Sequence, residues 1–187
     1  MIVNRASTLW ALPIACVTCL SVAQAADGAI NLPKSSIVAT FRQENVPIEA
    51  PFKSFSGVIA YDAAKPAATS AAVTIEMNSL DLGDESYNAE LRKAAWFDSA
   101  HFPQATFRST AIKAGAAGHL DATGTLTIKG KPQTITVPIT VQHVGDATTF
   151  DGSLEVSRKA FGIGDPSWDD VLDDKVLVRF HLQGAGT

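Results

Sequence analysis

The sequence is poor in cysteine, in clustered basic residues and in long hydrophobic runs. Its two cysteines, Cys16 and Cys19, both lie within the first 25 of 187 residues. The rest of the chain therefore offers no thiol for a disulfide, a catalytic cysteine, an iron–sulfur cluster or a thiolate zinc site. The 15 lysines and arginines form no run and face 19 acidic residues. This balance argues against nucleic-acid binding, because neutralising phosphates needs clustered cations.

The first 25 residues have the three-part pattern of a secretory signal. Arg5 precedes an apolar run over 9–20, and Ala23-Gln24-Ala25 resembles a signal-peptidase site. The run has about 12 residues where a membrane span needs about 20, so the pattern favours a cleaved signal peptide over an anchor. A lipid anchor on Cys16 is an alternative, although the residues before it match a lipobox poorly. We therefore expect a periplasmic or secreted protein with a signal peptide (1–25), an extension (26–34), a folded domain (35–183) and a tail (184–187).

From Ile37 onward the dominant period of apolar residues is two, which is typical of strands with one buried face. The alternating segments lie at about 37–42, 56–61, 73–78, 105–110, 119–129, 134–142, 150–156 and 176–182. Between them, Lys129-Gly130-Lys131 and Val144-Gly145-Asp146-Ala147 predict tight turns, and 114–118 predicts a looser one. Strands joined mainly by short turns indicate an all-β antiparallel meander of roughly eight strands, and closing it into a barrel removes its exposed edges.

One segment breaks the strand period. Residues 86–95 are rich in helix-forming side chains, with Leu91, Ala94 and Ala95 at helical spacing. Asp84 and Glu85 put negative charge at the expected helix start, which the helix dipole favours. We expect a short helix here, followed by a tight loop to Pro103 that plugs or covers one end of the barrel.

Four blocks follow one another in a characteristic order. They are 52–62, the Trp-Phe stretch 96–109, Gly124-Thr125-Leu126-Thr127-Ile128-Lys129-Gly130, and 157–164 with its Arg-x-x-Phe-Gly-Ile pattern. Each is weak alone, but as a set spanning about residues 35–183 they resemble the YceI-like family of exported, lipocalin-like lipid-binding proteins. The chain departs from the family pattern at Asn88 and at Lys159-Ala160, where relatives often carry acidic residues.

The resemblance implies an eight-stranded antiparallel, lipocalin-like barrel with one short helix and an elongated apolar cavity. Relatives are associated with polyisoprenoids, isoprenoid quinones, fatty acids or fatty amides. Some are joined to, or encoded near, b-type cytochrome membrane domains. The resemblance thus implies a bound lipid such as a polyprenol derivative or quinone, no other cofactor, and a b-type cytochrome as candidate membrane partner. The sequence leaves open whether two chains form a homodimer.

The strand period also selects candidate ligand-binding residues, because a small barrel has room for packed side chains or for one slender ligand. For any single position ordinary core packing is the alternative, since alternation shows which way a side chain faces and not what it contacts. We predict that the apolar ligand contacts Phe41, Ile59, Ile75, Met77, Trp96, Phe97, Phe107, Leu126, Ile139, Phe150, Leu154, Phe161 and Phe180.

Patterns for catalysis and metal binding are weak. The four histidines, at 101, 119, 143 and 181, are far apart and belong to no ligand motif, and neither a nucleophile elbow nor a phosphate loop occurs. Segment 165–174 carries five carboxylates, but its spacing is not that of an EF-hand, so a solvated surface loop is the favoured interpretation. We predict no catalytic and no metal-binding residues.

Arg158 lies just before the acidic segment and shares the phase of the inward-facing residues Phe150, Leu154 and Val156. A buried guanidinium needs a carboxylate partner. We therefore expect Arg158 to pair with Asp169 or Asp170 at the end of the barrel.

Three functions remain open on the sequence. The first, which we favour, is an exported protein that carries, stores or senses an apolar isoprenoid. The second is a lipid-modifying enzyme, which would need an acid or base inside a barrel whose predicted inner face is nearly free of them. The third is a filled barrel that serves as a protein-interaction module.

Overall fold

The computed structural model describes residues 28–116 and 118–184. The predicted signal peptide and residues 185–187 of the predicted tail lie outside the described residues. The described part contains nine strands and one α-helix, with short 3-10 turns between several of them. Their bounds are β1 Ser36–Gln43, β2 Val46–Pro51, β3 Phe55–Ala60, β4 Ser70–Glu76, α1 Glu85–Leu91, β5 Gln104–Ala114, β6 His119–Ile128, β7 Lys131–Val144, β8 Ala147–Ser157 and β9 Lys175–Gln183.

All nine strands belong to one antiparallel sheet with the order β2-β1-β9-β8-β7-β6-β5-β4-β3. Strands β2 and β3 follow each other in the chain and yet lie at opposite edges of this sheet. Only residues 52–54 connect them, and the four Cα steps from Pro51 to Phe55 span at most about 14 Å. The two edges must therefore come together, which curls the sheet around a central space.

The seam between the two edges is bridged at both ends. At one end Ala29 pairs with Val58 of β3, while Ile30 pairs with Gly184 just after β9. The N–H of Ile30 donates to the Gly57 carbonyl at 3.0 Å. The residues before β1 thus connect the edge strand β3 to the end of β9. At the other end Phe52 pairs with Leu80. These bridges satisfy backbone groups that an open sheet edge would expose.

The predicted all-β antiparallel architecture with one short helix is confirmed, but the strand count of eight was wrong by one. The additional strand is β2, which contains Pro47 and Pro51. Proline cannot donate to a ladder and is confined to edge strands, and β2 lies at an edge of the sheet. The turn before it, Glu44-Asn45, takes positive φ values of 50° and 66° without a glycine, so the usual hairpin signal is missing.

Both predicted tight turns are confirmed as two-residue hairpins. Ile128 pairs with Lys131 across Lys129-Gly130, and Val144 pairs with Ala147 across Gly145-Asp146. Gly130 has a φ of +70°, a left-handed conformation that glycine adopts without steric cost.

Helix α1 is shorter than the predicted span of 86–95. The helix begins at Glu85, close to the expected start. Asp84 caps this end, because its carboxylate accepts a hydrogen bond from the N–H of Ser86 at 2.8 Å. It ends at Leu91 because the following chain turns back on it: the Leu91 carbonyl accepts from the N–H of Phe97 at 3.0 Å. No helix in the described part of the chain is both long and apolar enough to cross a membrane.

Candidate functional site: an apolar cavity open at one end

A cavity of about 590 Å³ runs along the inside of the curled sheet. Every strand except β2 contributes to its wall, together with α1 and the loops that follow β4 and β8. Residues two apart on a strand face the same side, so Ala71, Val73 and Ile75 of β4 all line the cavity. The wall is overwhelmingly aliphatic and aromatic, which suits a ligand without charge.

The cavity has an exposed mouth at the end where α1 lies. The exposed side chains of its wall are Ser86 and Tyr87 on α1 and Trp168 in the loop before β9. Tyr87 is 62% exposed, while the ring of Trp168 packs edge-on against buried Trp96 with 6.0 Å between ring centroids. A ligand therefore has a route to solvent between the helix and this loop.

The opposite end of the cavity is closed by packed side chains. Ile59, Ile112 and Leu120 belong there to one cluster of buried residues. The ring of Tyr61 adds to that cluster with its edge against Phe150, 5.5 Å between centroids. The wall of the cavity is therefore exposed at the end where α1 lies and packed at the opposite end, as a pocket with one mouth is.

All thirteen predicted ligand-binding residues lie on the wall of this cavity. That they contact a ligand stays a prediction. The wall also contains residues of the same strand phase that the prediction omitted, including Ile37, Val137 and Val178, which alternation alone would have found. By contrast, Tyr87 and Trp168 lie on a helix and a loop, where the strand period gives no signal.

Two glycines on the inner face let phenylalanine rings lie flat against the wall. A Cβ atom on Gly152 would lie 2.4 Å from the ring of Phe180, its register partner on β9, and one on Gly124 would lie 2.7 Å from the ring of Phe107. Only glycine permits so close an approach. These pairs keep two large predicted ligand contacts out of the middle of the cavity and so preserve its width.

The Arg158 side chain is 4% exposed and is held by four hydrogen bonds near the mouth. Its Nη2 donates to the Asp169 carboxylate at 2.7 Å and to the Leu172 carbonyl at 3.0 Å. Its Nε and Nη1 donate to the carbonyls of Asp173 and Ile163. The predicted pair with Asp169 is therefore confirmed, and the guanidinium fastens the acidic loop that forms one rim of the mouth.

The acidic segment 165–174 is more than a solvated loop, because several of its carboxylates hold local structure. The Asp165 carboxylate accepts from the N–H of Ser167, and that of Asp174 accepts from the Ser157 hydroxyl. Asp169 also pairs with Lys159 at 2.9 Å. Within residues 28–116 and 118–184, no three histidine, cysteine or acidic side chains are grouped to hold a metal ion.

Hydrogen bonds from Lys159 and then Arg158 hold the pKa of the Asp169 carboxyl below its ordinary value of 3.8. The unfolded chain therefore takes up this proton at a higher pH than the folded one. The stabilisation from Asp169 is present above about pH 4 and is lost as the pH falls through the folded pKa.

We therefore expect Asp169→Asn to lower the melting temperature at neutral pH, and the difference from the wild type to shrink below about pH 4. Melting curves between pH 7 and pH 2 measure this. Asp170→Asn is the matched control, because the Asp170 side chain makes no hydrogen bond or ion pair with any described residue. A constant difference across this range for Asp169→Asn would contradict the assignment.

An antiparallel sheet that curls around an apolar cavity with one mouth is typical of small β-barrel proteins that bind a ligand inside the barrel. Comparison with known proteins narrows this class. The family model of the YceI-like domain matches residues 29–184, and the chain belongs to this family.

Named relatives and solved structures agree with this membership. Protein YceI of Salmonella arizonae is 38% identical over 118 residues, which cover 60% of this chain and 61% of that protein. The chain thus matches about three-fifths of the length of such relatives. The crystal structure of Burkholderia cenocepacia BcnA is 44% identical with a TM-score of 0.81, and the match covers 83% of this chain and 99% of BcnA.

A more distant neighbour is a polyisoprenoid binding domain from Saccharophagus degradans that is implicated in plant cell wall breakdown. It has a TM-score of 0.66 at 18% identity, over 85% of this chain and 98% of that domain. At such low identity the likeness shows the shared fold alone.

Proposed function

We propose that the protein is an exported, periplasmic binding protein that holds a long apolar lipid, a polyisoprenoid or an isoprenoid quinone, in its cavity. It would transport, store or sense that lipid without changing it chemically. The observation that carries the proposal is the cavity itself, about 590 Å³ of space with an apolar wall and a single mouth. The polyisoprenoid-binding description of the Saccharophagus degradans domain supports the choice of lipid class.

The size of the cavity sets the length of the bound segment. At the roughly 30 Å³ that one heavy atom of a liquid such as water occupies, 590 Å³ holds about 20 heavy atoms. At about 0.3 kcal/mol for each ligand heavy atom, these contribute about 6 kcal/mol, which corresponds to a dissociation constant of tens of micromolar. A longer prenyl chain gains affinity only for the part that stays buried, so its remainder would extend through the mouth.

The two alternatives make different demands on the interior. A lipid-modifying enzyme needs an acid or base at the reacting atom. In the described part of the chain the ionisable side chains of the wall are Tyr87 and Glu90 on α1 and Arg158, whose donors already bind three carbonyls and Asp169. A filled barrel that binds proteins needs an interior without space, and the cavity argues against it.

The proposal predicts that protein purified from its native host carries a lipid. Extraction with organic solvent followed by mass spectrometry should detect an isoprenoid in substoichiometric amount, because a complex with a dissociation constant of tens of micromolar loses much of its ligand during purification. After removal of this lipid, adding a prenol or a prenyl quinone should raise the melting temperature, because a ligand that binds only the folded state stabilises it. An empty extract together with no stabilisation by either lipid would contradict the proposal.

Three finer points of the proposal concern the setting in which the protein works. Export and cleavage after residue 25 rest on the signal-like pattern of the sequence, and N-terminal sequencing of the secreted protein tests them. A b-type cytochrome as membrane partner, which the family resemblance implies, would supply or receive a quinone. Association into a homodimer is tested by the molar mass in solution.

A further inference from the structure

The polar side chains of the cavity wall are concentrated at its mouth. Apart from the tryptophans they are Gln43, Thr69, Ser86, Tyr87, Glu90 and Arg158. Three of them lie on α1, and Gln43, the last residue of β1, pairs with Leu172 in the loop that forms the other rim. Toward the closed end the wall consists of apolar side chains such as Ile59, Ile112 and Leu120.

Two of these six side chains are closed to a ligand. Thr69 precedes β4 at the end of the strand away from α1, and its hydroxyl oxygen has almost no accessible surface. Arg158 is buried with its donors already bound to protein acceptors. At the mouth, by contrast, Tyr87 is 62% exposed, the side chain of Glu90 is 44% exposed and Gln43 is half-buried. We therefore expect the hydrocarbon tail to enter first and the polar end of the lipid to remain at the mouth.

The charge that a ligand meets at the mouth is negative. In the described part of the chain the wall contains no lysine and no histidine, and its arginine is closed to a ligand. Glu90 is therefore the charged side chain of this wall that a ligand can reach. Lys93, which is not part of the wall, binds Oε2 of Glu90 and leaves Oε1 without a partner among the described residues. Glu90 thus lies nearer to a bound end group than its cation does.

The rim around the wall has the same sign. Its cations already have partners: Lys93 pairs with Glu90, Arg92 with Glu85, Lys159 with Asp169, and Arg42 donates to the Asn45 carbonyl. The carboxylates that make no ion pair with any described residue are Glu44 in the turn after β1 and Asp165, Asp170 and Asp173 in the acidic loop. Exposed charges act on one another over about 10 Å at 0.1 M salt. A phosphate held at the mouth would therefore meet negative charge on α1 and on the acidic loop.

We propose that the mouth of the cavity selects lipids whose polar end carries no negative charge, such as a hydroxyl, a quinone ring or an ammonium group. Glu90 is the residue that rejects a phosphate or carboxylate end group, and the acidic rim adds to this repulsion. Gln43 and Tyr87 make no side-chain hydrogen bond with any described residue, so their polar groups are available to a neutral end group. This assignment rests on the proposed function, since it specifies which lipids the same cavity accepts.

The test compares three probes that share a prenyl tail of about 20 carbons, which fills the cavity and brings the polar end to the mouth. They are a prenol, a prenylamine that is cationic at neutral pH, and a prenyl phosphate. Binding to delipidated protein is followed by the fluorescence of Trp96 and Trp168, which line the cavity, at concentrations where no probe forms micelles.

At low salt the phosphate should bind about tenfold more weakly than the prenol, because two charges about 6 Å from one carboxylate cost that factor even in water. The amine should bind at least as tightly as the prenol. At about 1 M salt, where the Debye length falls to about 3 Å, the difference between the amine and the phosphate should largely disappear.

Glu90→Gln keeps the size of the side chain and removes its charge. This variant should raise the affinity for the phosphate by about three- to tenfold at low salt. Glu85→Gln is the matched control, because it makes the same change on the same helix at a residue that pairs with Arg92 and does not line the cavity. It should keep the preference of the wild type. Melting curves of both variants verify that they are folded.

The outcomes separate this inference from the proposed function. If the wild type binds none of the three probes, the lipid-binding function itself fails. If it binds the phosphate as tightly as the amine at low salt, the lipid is held but the mouth does not select its charge. If Glu90→Gln and Glu85→Gln change the affinity for the phosphate equally, net charge acts from a distance and the assignment to Glu90 is wrong.

Discussion

Replacing Arg158 by leucine should lower the free energy of unfolding by about 3 kcal/mol, because a buried acceptor left without its donor costs about 1–3 kcal/mol and the buried guanidinium binds three carbonyls. Leucine fills part of the same space but leaves the carbonyls of Ile163, Leu172 and Asp173 without the donor that now binds them. For a chain of this size the loss corresponds to a fall in melting temperature of roughly 6–12 °C. Thermal and urea unfolding of the two proteins measure it.

The matched control is Arg179→Leu. Arg179 is also a strand-associated arginine with a carboxylate partner, Glu49, but its side chain is 51% exposed. Exposed pairs contribute under about 1 kcal/mol because water screens them. Equal melting of Arg158→Leu and the wild type would show that the guanidinium does not hold the loop at the mouth of the cavity.

Most of the cavity wall could be predicted because the side-chain period of a strand is geometric. Once Val73 and Ile75 are recognised as alternate residues of one strand, both must face the same side of the sheet. The same reasoning placed Phe150, Leu154 and Arg158 in one phase, and the buried position of Arg158 then called for a carboxylate nearby. The inner face of the strands and the partner of Arg158 could thus be predicted from the alternation of apolar residues and from the rule that a buried cation needs a carboxylate.

The barrel was predicted, but the elements that close it could not be, because they carry no local strand signal. Strand β2 contains two prolines and follows a turn without glycine. Ala29 and Ile30 pair with β3 and with the residue after β9, partners that are far away in sequence. Such pairings exist only once the sheet has curled. Tertiary context therefore decides them and local propensity does not.

Thr69 shows the same limit at the level of a single side chain. In the sequence Thr69 lies between Ala68 and Ser70, before the alternating segment 73–78. Its neighbours therefore indicate a turn and not a strand. Extending the period of β4 backwards would have placed it on the inner face. Its hydroxyl is buried and makes no hydrogen bond with any described residue, a property that depends on every neighbouring strand and so carries no signal in the sequence.

Filling the middle of the cavity should have the largest effect on lipid binding. Val73 lies midway along the wall between Thr69 and Met77, beside Gly57 on β3 and Phe107 on β5. Val73→Trp places an indole across the lumen and closes the inner half to a hydrocarbon chain. A ligand of about 20 heavy atoms then loses the burial of about 10, or about 3 kcal/mol, which weakens binding roughly 100-fold.

Thr74→Trp adds the same side chain to the outer face of the same strand, beside Ser56 and Thr106, and should bind lipid as the wild type does. Titration with prenols of increasing length distinguishes a blocked cavity from a damaged fold. For Val73→Trp the affinity should stop rising once the chain exceeds about 10 carbons, the number that the mouth half accommodates. For the wild type it should continue to rise to about 20. If Val73→Trp remains folded and still binds the long prenol with undiminished affinity, the lipid is held on the surface of the barrel and not inside it.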